Sequence, residues 1–156
     1  MAHQFLSIYL SDHLAGAQAA LEILTLLRRD GDSEVWREIE DAICEDRAEL
    51  ERLMNSTGSA QTTLRRAAAW TAEKLAEFKL RVDDPSTAGS FRRLELIEAL
   101  ALGIDGKQAL WTALKETPGS TAALTSVDYG RLIARAQAQR RIVEGERLAA
   151  AAEALS

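Results

Sequence analysis

The stretch LELIEALALGI, residues 94–104, decides the fold of this chain because it is apolar on nearly every side of a helix. Only Glu95, Glu98 and Gly103 interrupt its apolar surface. A helix that is hydrophobic around most of its circumference is usually surrounded by other helices. We therefore predict that this segment lies inside a helical bundle. The side chains predicted to be shielded on several sides are Leu96, Ile97, Leu100 and Ile104.

Clusters of turn-favouring residues divide the chain on both sides of this stretch into segments of helical length. Both prolines, Pro85 and Pro118, fall within such clusters. Inside each segment, apolar residues recur at spacings of three and four, which is typical of a helix face, and no alternating β-type run competes. The predicted fold class is therefore all-α. The five predicted helices span residues 4–29, 33–56, 59–82, 90–116 and 126–154.

Residues that favour helix ends support these boundaries. Asp32 is the predicted N-cap of the second helix, because a short side-chain oxygen can accept from the free amides of a first turn. Thr125, with Asp128 three residues on, resembles a capping box for the last helix. Gly103 and Gly106 each cost about 1 kcal/mol relative to alanine inside a helix. They predict a kink or a point where another backbone comes close.

These segments predict a single domain over residues 1–156. We expect an up-and-down bundle of four long helices with an additional C-terminal helix. The last segment is rich in alanine, glutamine and arginine and has the weakest apolar stripe. It is therefore predicted to pack along the outside of the bundle.

Length and composition restrict the class of protein. With 156 residues, 47% of them hydrophobic and 28% charged, the chain has the size and balance of a soluble globular domain. Its formal net charge of −5 argues against a nucleic-acid partner, because neutralising phosphates needs a basic surface. No apolar run approaches the roughly 20 residues that span a bilayer, so no membrane partner is expected either.

The single cysteine and the N-terminus predict the compartment. One cysteine, Cys44, cannot form an internal disulfide, which fits a reducing environment. The N-terminal residues lack the basic region and the long apolar run of a signal peptide. A cytoplasmic location is therefore expected.

Carboxylates on the predicted helices stand singly or in pairs one helical turn apart. They are Glu22, Asp46, Glu49, Glu73, Glu95 and Glu98. Long antiparallel helices with inward-facing acids resemble the ferritin-like superfamily of helical bundles. In its di-iron members, the resemblance implies, two helices each supply one Glu and two supply a Glu-x-x-His pair to the metals.

The histidines that such a metal site needs are missing. The chain has only two histidines, His3 and His13, and neither belongs to a Glu-x-x-His pair. Three residues after Asp46 and Glu95, where the family motif has histidine, this chain has Glu49 and Glu98. We therefore expect a domain without metal or other cofactor, in which most of these acids pair with arginines on solvated faces. A metal-binding protein or oxidoreductase of the ferritin-like type is the alternative. Its site would use His13, Asp46, Glu49, Glu73 and Glu98.

Asp46 is the carboxylate least easily assigned to the surface. It falls on the apolar stripe of the second helix, between Ile43 and Leu50, where burial without a partner would be costly. A hairpin of the first two helices brings His13 to the same level. Other residues predicted at this level are Glu49, Trp70, Glu73 and Lys107. A structural network, a small pocket and an active site all remain open. For a purely structural network, Asp46→Leu is predicted to change stability little or to raise it.

The function expected from the sequence is that of a non-catalytic helical bundle that binds an unknown small molecule or another protein. Its ligand-binding residues are predicted to be His13, Asp46, Glu49, Trp70, Glu73 and Lys107. A further alternative is an oligomeric structural module. In that case, exposed apolar residues of the last helix would be buried against a second copy of the chain.

Overall fold

The structure of the protein is a computed structural model that describes residues 2–57, 76, 89–117 and 122–156. Within this part all regular structure is helical, which confirms the predicted all-α class. None of the helices in these ranges is both long and apolar enough to cross a membrane. Apart from residue 76, the predicted third helix lies outside the described residues. The helices are α1 (Ala2–Asp30), α2 (Glu34–Ser56), α3 (Gly89–Glu116), α4 (Ala122–Thr125) and α5 (Tyr129–Ala154).

The N-terminus of α2 is capped by Ser33, one residue later than predicted. The Ser33 hydroxyl accepts from the backbone N–H of Trp36 at 3.4 Å. Asp32, the predicted cap, instead accepts a hydrogen bond from Arg28 at 3.0 Å. Serine and aspartate are nearly equal as caps, so their intrinsic preference does not choose between adjacent positions.

The N-terminus of α5 is capped by Asp128, whose carboxylate accepts from the backbone N–H of Arg131 at 3.0 Å. The predicted capping box, with Thr125 as its first residue, is therefore wrong. Thr125 ends the short helix α4, and its hydroxyl donates to the carbonyl of Ala122. The chain turns between these two helices and begins α5 three residues later than predicted.

α1 and α2 form an antiparallel hairpin joined by residues 31–33. Near the turn Arg28 donates to Glu40, and farther along Arg47 donates to Gln18 at 2.7 Å. The contacting residue number decreases along α1 as it increases along α2, which shows that the two helices are antiparallel. The hairpin that was predicted from the sequence is thus present.

α3 and α5 form a second antiparallel pair. Arg140 on α5 donates to Asp105 on α3 at 3.1 Å, and Arg147 donates to Glu98 at 3.3 Å. The apolar core extends across both pairs in two clusters. The turn-end cluster includes Leu24, Leu27, Trp36, Ile43, Leu100 and Ile104. The far-end cluster includes Leu10, Leu14, Leu50, Leu53, Leu110 and Trp111.

α5 contributes directly to the core, so the prediction that the last helix lies along the outside is wrong. Ala136 and Val143 are fully buried in the turn-end cluster, and Leu132 is buried in the far-end cluster. Residues 132, 136, 139 and 143 follow the spacing of four, three and four that places side chains on one helix face. The stripe looked weak because small alanines occupy part of it.

α3 runs without interruption through both of its interior glycines. A Cβ atom added at Gly103 or at Gly106 would meet no atom within 4 Å. No backbone of the described residues therefore approaches either position, so the predicted close contact is not found in this part of the chain. The buried positions predicted for this helix are confirmed, since Leu96, Ile97 and Leu100 are fully shielded from solvent.

Candidate functional site

Polar side chains interrupt the core between the turn-end and the far-end cluster. We call this the polar layer and define it by His13, Asp46, Lys107, Arg135 and Gln139. Asp46 lies at its centre with only 3% of its surface exposed. Its Oδ2 accepts from the Lys107 ammonium at 2.6 Å, and its Oδ1 accepts from the Arg135 guanidinium. The prediction that Asp46 is buried and bound by a donor is confirmed.

Two members of the polar layer come from α5 and were not predicted. Arg135 bridges the buried Asp46 and the exposed Glu45. The side-chain carbonyl of Gln139 accepts a second hydrogen bond from Lys107. The spacing of residues 132, 136, 139 and 143 on one face of α5 could have indicated Gln139, because Gln139 belongs to that buried stripe.

A cavity of about 50 Å³ opens beside the polar layer between α1, α2 and α3. His13, Asp46 and Lys107 line it, each from a different helix. A water needs about 10–15 Å³ of such a cavity, so a few waters or one small ligand can fit. The rest of the wall is mostly apolar and includes Ala17, Ala20, Ile43, Leu50, Ile104 and Leu110.

Two titratable nitrogen groups on the cavity wall, those of His13 and Lys107, have pKa values shifted toward the neutral form. Burial lowers the pKa of the Lys107 ammonium, Asp46 opposes this shift, and Arg135 adds to it. Burial also lowers the pKa of the His13 imidazole, against the opposing charge of Asp12. Desolvation penalises the charged form of an amine or an imidazole, which is the common cause of both shifts.

Trp111 also lines the cavity, on the side of the far-end cluster. Its side chain is almost fully buried, and its indole N–H has no acceptor among the residues that the structure describes. A buried donor without an acceptor costs free energy, so such groups call for an explanation. Because Trp111 is part of the cavity wall, its indole signal can report what binds there.

Glu49, which was predicted to share the site with Asp46, is not among the residues that line this cavity. It accepts two hydrogen bonds from Arg52, and these bonds hold the pKa of its carboxyl below the usual value. It lines a second groove with Asp128 and Arg131 at the start of α5, and Arg135 of the polar layer lines the same groove. Three residues advance a helix by about 300°, so the Glu49 side chain projects about 60° away from the Asp46 side chain around the helix axis.

Two further predicted site residues, Trp70 and Glu73, lie outside the described residues. The carboxylates of the alternative metal site do not all converge in the described part of the chain. Asp46 is already bound by two cationic side chains, and Glu98 pairs with Arg147 at the surface. The described residues contain no group of three or more potential metal ligands.

No protein-family model, curated protein or solved structure matches this chain. The class of protein is therefore that of an all-α domain with a buried ionic layer beside a small cavity. Its function has to be inferred from the chemistry of that layer.

The lowered pKa of His13 predicts that acid destabilises the fold. Below pH 6.5 the unfolded chain binds a proton at His13 that the folded chain does not yet bind. The free energy of unfolding should therefore fall as the pH drops from 6.5 through the folded-state pKa of His13. Urea denaturation between about pH 5 and 8 measures this slope, and NMR titration reports the imidazole directly.

His13→Gln is the matched variant for this pH dependence, because glutamine cannot titrate. The His13 contribution to the slope should vanish in it, and its spectrum identifies the signal of the remaining His3. An imidazole at position 13 that titrates at or above 6.5 would contradict the prediction, since it would show that burial does not disfavour its charged form.

Proposed function

We propose that the protein is a non-catalytic helical bundle that binds a small molecule in the cavity between α1, α2 and α3. The observation that carries this proposal is the convergence of His13, Asp46 and Lys107, from three helices, on one cavity with otherwise mostly apolar walls. Small-molecule sites are typically concave and apolar, with a few polar groups that fix the orientation of the ligand.

Two glycines on the cavity wall support a role beyond stability. Gly16 on α1 and Gly103 on α3 both line the cavity, and a methyl group at either position would meet no atom within 4 Å. Alanine would fit at both positions and would stabilise each helix by about 1 kcal/mol. Each glycine therefore lowers helix stability at the cavity wall without avoiding a clash with any described residue.

A non-catalytic role is the better match to the hydrogen bonds of the polar layer. Both oxygens of Asp46 are engaged by cationic side chains, so this carboxylate is not free to act as a base. The same engagement leaves less support for a carboxylate metal site. The ferritin-like arrangement remains a prediction. A carboxylate metal site and a homo-oligomeric assembly are alternatives that elemental analysis of the purified protein and its mass in solution test separately.

The proposal is tested by filling the cavity. Leucine at Gly103 places a side chain on the cavity wall, whereas leucine at Gly145 on α5 occupies open space away from it. Both changes replace a helical glycine, so their effects on helix stability should be alike. The probe is a panel of soluble fragments of up to about six non-hydrogen atoms, the scale that the cavity allows.

Binding is measured by the NMR signal of the Trp111 indole N–H, assigned with Trp111→Phe. We expect at least one fragment to shift this signal saturably in the wild type and in Gly145→Leu, but not in Gly103→Leu. A panel without any saturable shift would contradict the proposal. So would a shift that survives unchanged in Gly103→Leu, because the ligand would then lie outside the cavity.

A further inference from the structure

Unsatisfied hydrogen-bonding groups around the polar layer are all donors. The indole N–H of Trp111, the amide NH₂ of Gln139 and the Nε–H of Arg135 are buried without an acceptor in the described part of the chain. The available acceptors are already used, since both oxygens of Asp46 and the carbonyl of Gln139 accept from Lys107 or Arg135. Buried polar groups are normally paired, so the surroundings of the cavity contain more donors than acceptors. Only Trp111 of these three residues lines the cavity itself.

The polar layer also contains more cationic side chains than carboxylates. Lys107 and Arg135 share one buried carboxylate, that of Asp46, and the second acid bound by Arg135 is the exposed Glu45. Arg47 adds another cation to the cavity wall, although it is bound by Gln18 and Glu51. Buried charge is costly unless it is paired. A bound anion would give Lys107 a negative partner that it does not share with Arg135.

Size and wall chemistry restrict what kind of anion fits. A volume of about 50 Å³ excludes nucleotides and sugar phosphates. Apolar side chains such as Ile43, Ile104 and Leu110 form much of the wall, so a fully hydrated inorganic ion would leave them without contacts. A carboxylate with a tail of one or two carbons matches both the donors and the apolar wall.

We infer that the cavity binds a small monocarboxylate, whose oxygens accept from the Lys107 ammonium and whose alkyl group contacts the apolar wall. This inference rests on the proposed function and names the ligand class of the same site. Acetate and propionate are the smallest members of that class. The charge of such a ligand also favours the protonated form of Lys107, which burial alone disfavours.

The experiment titrates the intact chain with acetate, with propionate and with propionamide, the neutral isostere of propionate. Chloride and inorganic phosphate at equal ionic strength are the other arms. Binding is followed by calorimetry and by the Trp111 indole signal. We expect saturable binding of propionate, with propionamide and the inorganic ions weaker by about tenfold or more, because only propionate offers both a charged acceptor and an apolar tail.

Matched variants locate the charge that is recognised. Lys107→Met should weaken propionate binding by about tenfold or more, whereas Lys115→Met, at an exposed lysine of the same helix, should leave it unchanged. Trp111→Phe replaces the indole with a smaller ring, so it tests this part of the cavity wall even if Lys107→Met folds poorly. Circular dichroism establishes that each variant is folded.

The outcomes separate this inference from the proposed function. Equal affinity for propionate and propionamide would overturn the anion assignment, and stronger binding of phosphate or chloride would overturn the carboxylate. In either case the cavity would still bind a ligand, and the proposed function would stand. If neither the carboxylates nor any fragment of the panel shifts the Trp111 signal, both the ligand class and the binding function fail.

Discussion

Asp46→Leu is expected to lower the free energy of unfolding by about 3–5 kcal/mol, the range for breaking a buried ion pair by removing one partner. The variant leaves the Lys107 ammonium and the Arg135 guanidinium facing an apolar side chain. Arg135 still has its ion pair with Glu45 in this variant, and Lys107 can lose its proton because its pKa is lowered. We therefore expect a loss near the lower end of this range.

This expectation reverses the one drawn from the sequence. Without the structure, Asp46 was a single polar residue on an apolar stripe, and leucine there looked neutral or stabilising. In the structure, both Lys107 and Arg135 form ion pairs with that carboxylate. Replacing all members of a buried ionic network can be neutral, but removing one member leaves the others uncompensated.

Urea denaturation of a small set of variants measures the effect. Asp46→Asn keeps one acceptor oxygen and should cost less than Asp46→Leu. Asp41→Leu, at an exposed acid of the same helix, should change stability by at most about 0.5 kcal/mol. The double variant Asp46→Leu with Lys107→Met should recover part of the loss, because one uncompensated cation is removed. A cost for Asp46→Leu below roughly 1 kcal/mol would contradict the buried ionic network.

The helices were predictable because apolar residues mark their buried faces repeatedly. α2 was predicted over 33–56 and spans Glu34–Ser56, and α3 was predicted over 90–116 and spans Gly89–Glu116. The position of Asp46 was also readable, since a charged residue on an otherwise apolar stripe must either be solvated or have a partner. Its partner Lys107 followed from counting residues along antiparallel helices.

The contribution of α5 was not predictable in the same way. Its buried face uses small and polar residues such as Ala136 and Gln139, so the contrast between its two faces is low. Long polar side chains such as that of Arg135 are mostly exposed in proteins, and a sequence does not show which of them meets a buried carboxylate. Tertiary packing makes that choice, and the ionic layer depends on it.

Leu100→Ala is the second large effect, with an expected loss of about 2–5 kcal/mol in the free energy of unfolding. Leu100 lies in the turn-end cluster and has no exposed surface, whereas Leu102, two residues on, is 72% exposed. Both positions lie in the middle of α3, so the substitution changes helix propensity equally at the two sites.

Leu102→Ala should therefore change stability by at most about 0.5 kcal/mol, the usual limit for a surface substitution. The difference between the two variants isolates the burial of one leucine from every effect that the alanines share. If the two losses were equal within error, the side of α3 that contains Leu100 would not face the core. The cavity bounded by Gly103, Ile104 and Lys107 of the same helix would then lose its wall, so this comparison of stabilities also tests the geometry on which the binding site depends.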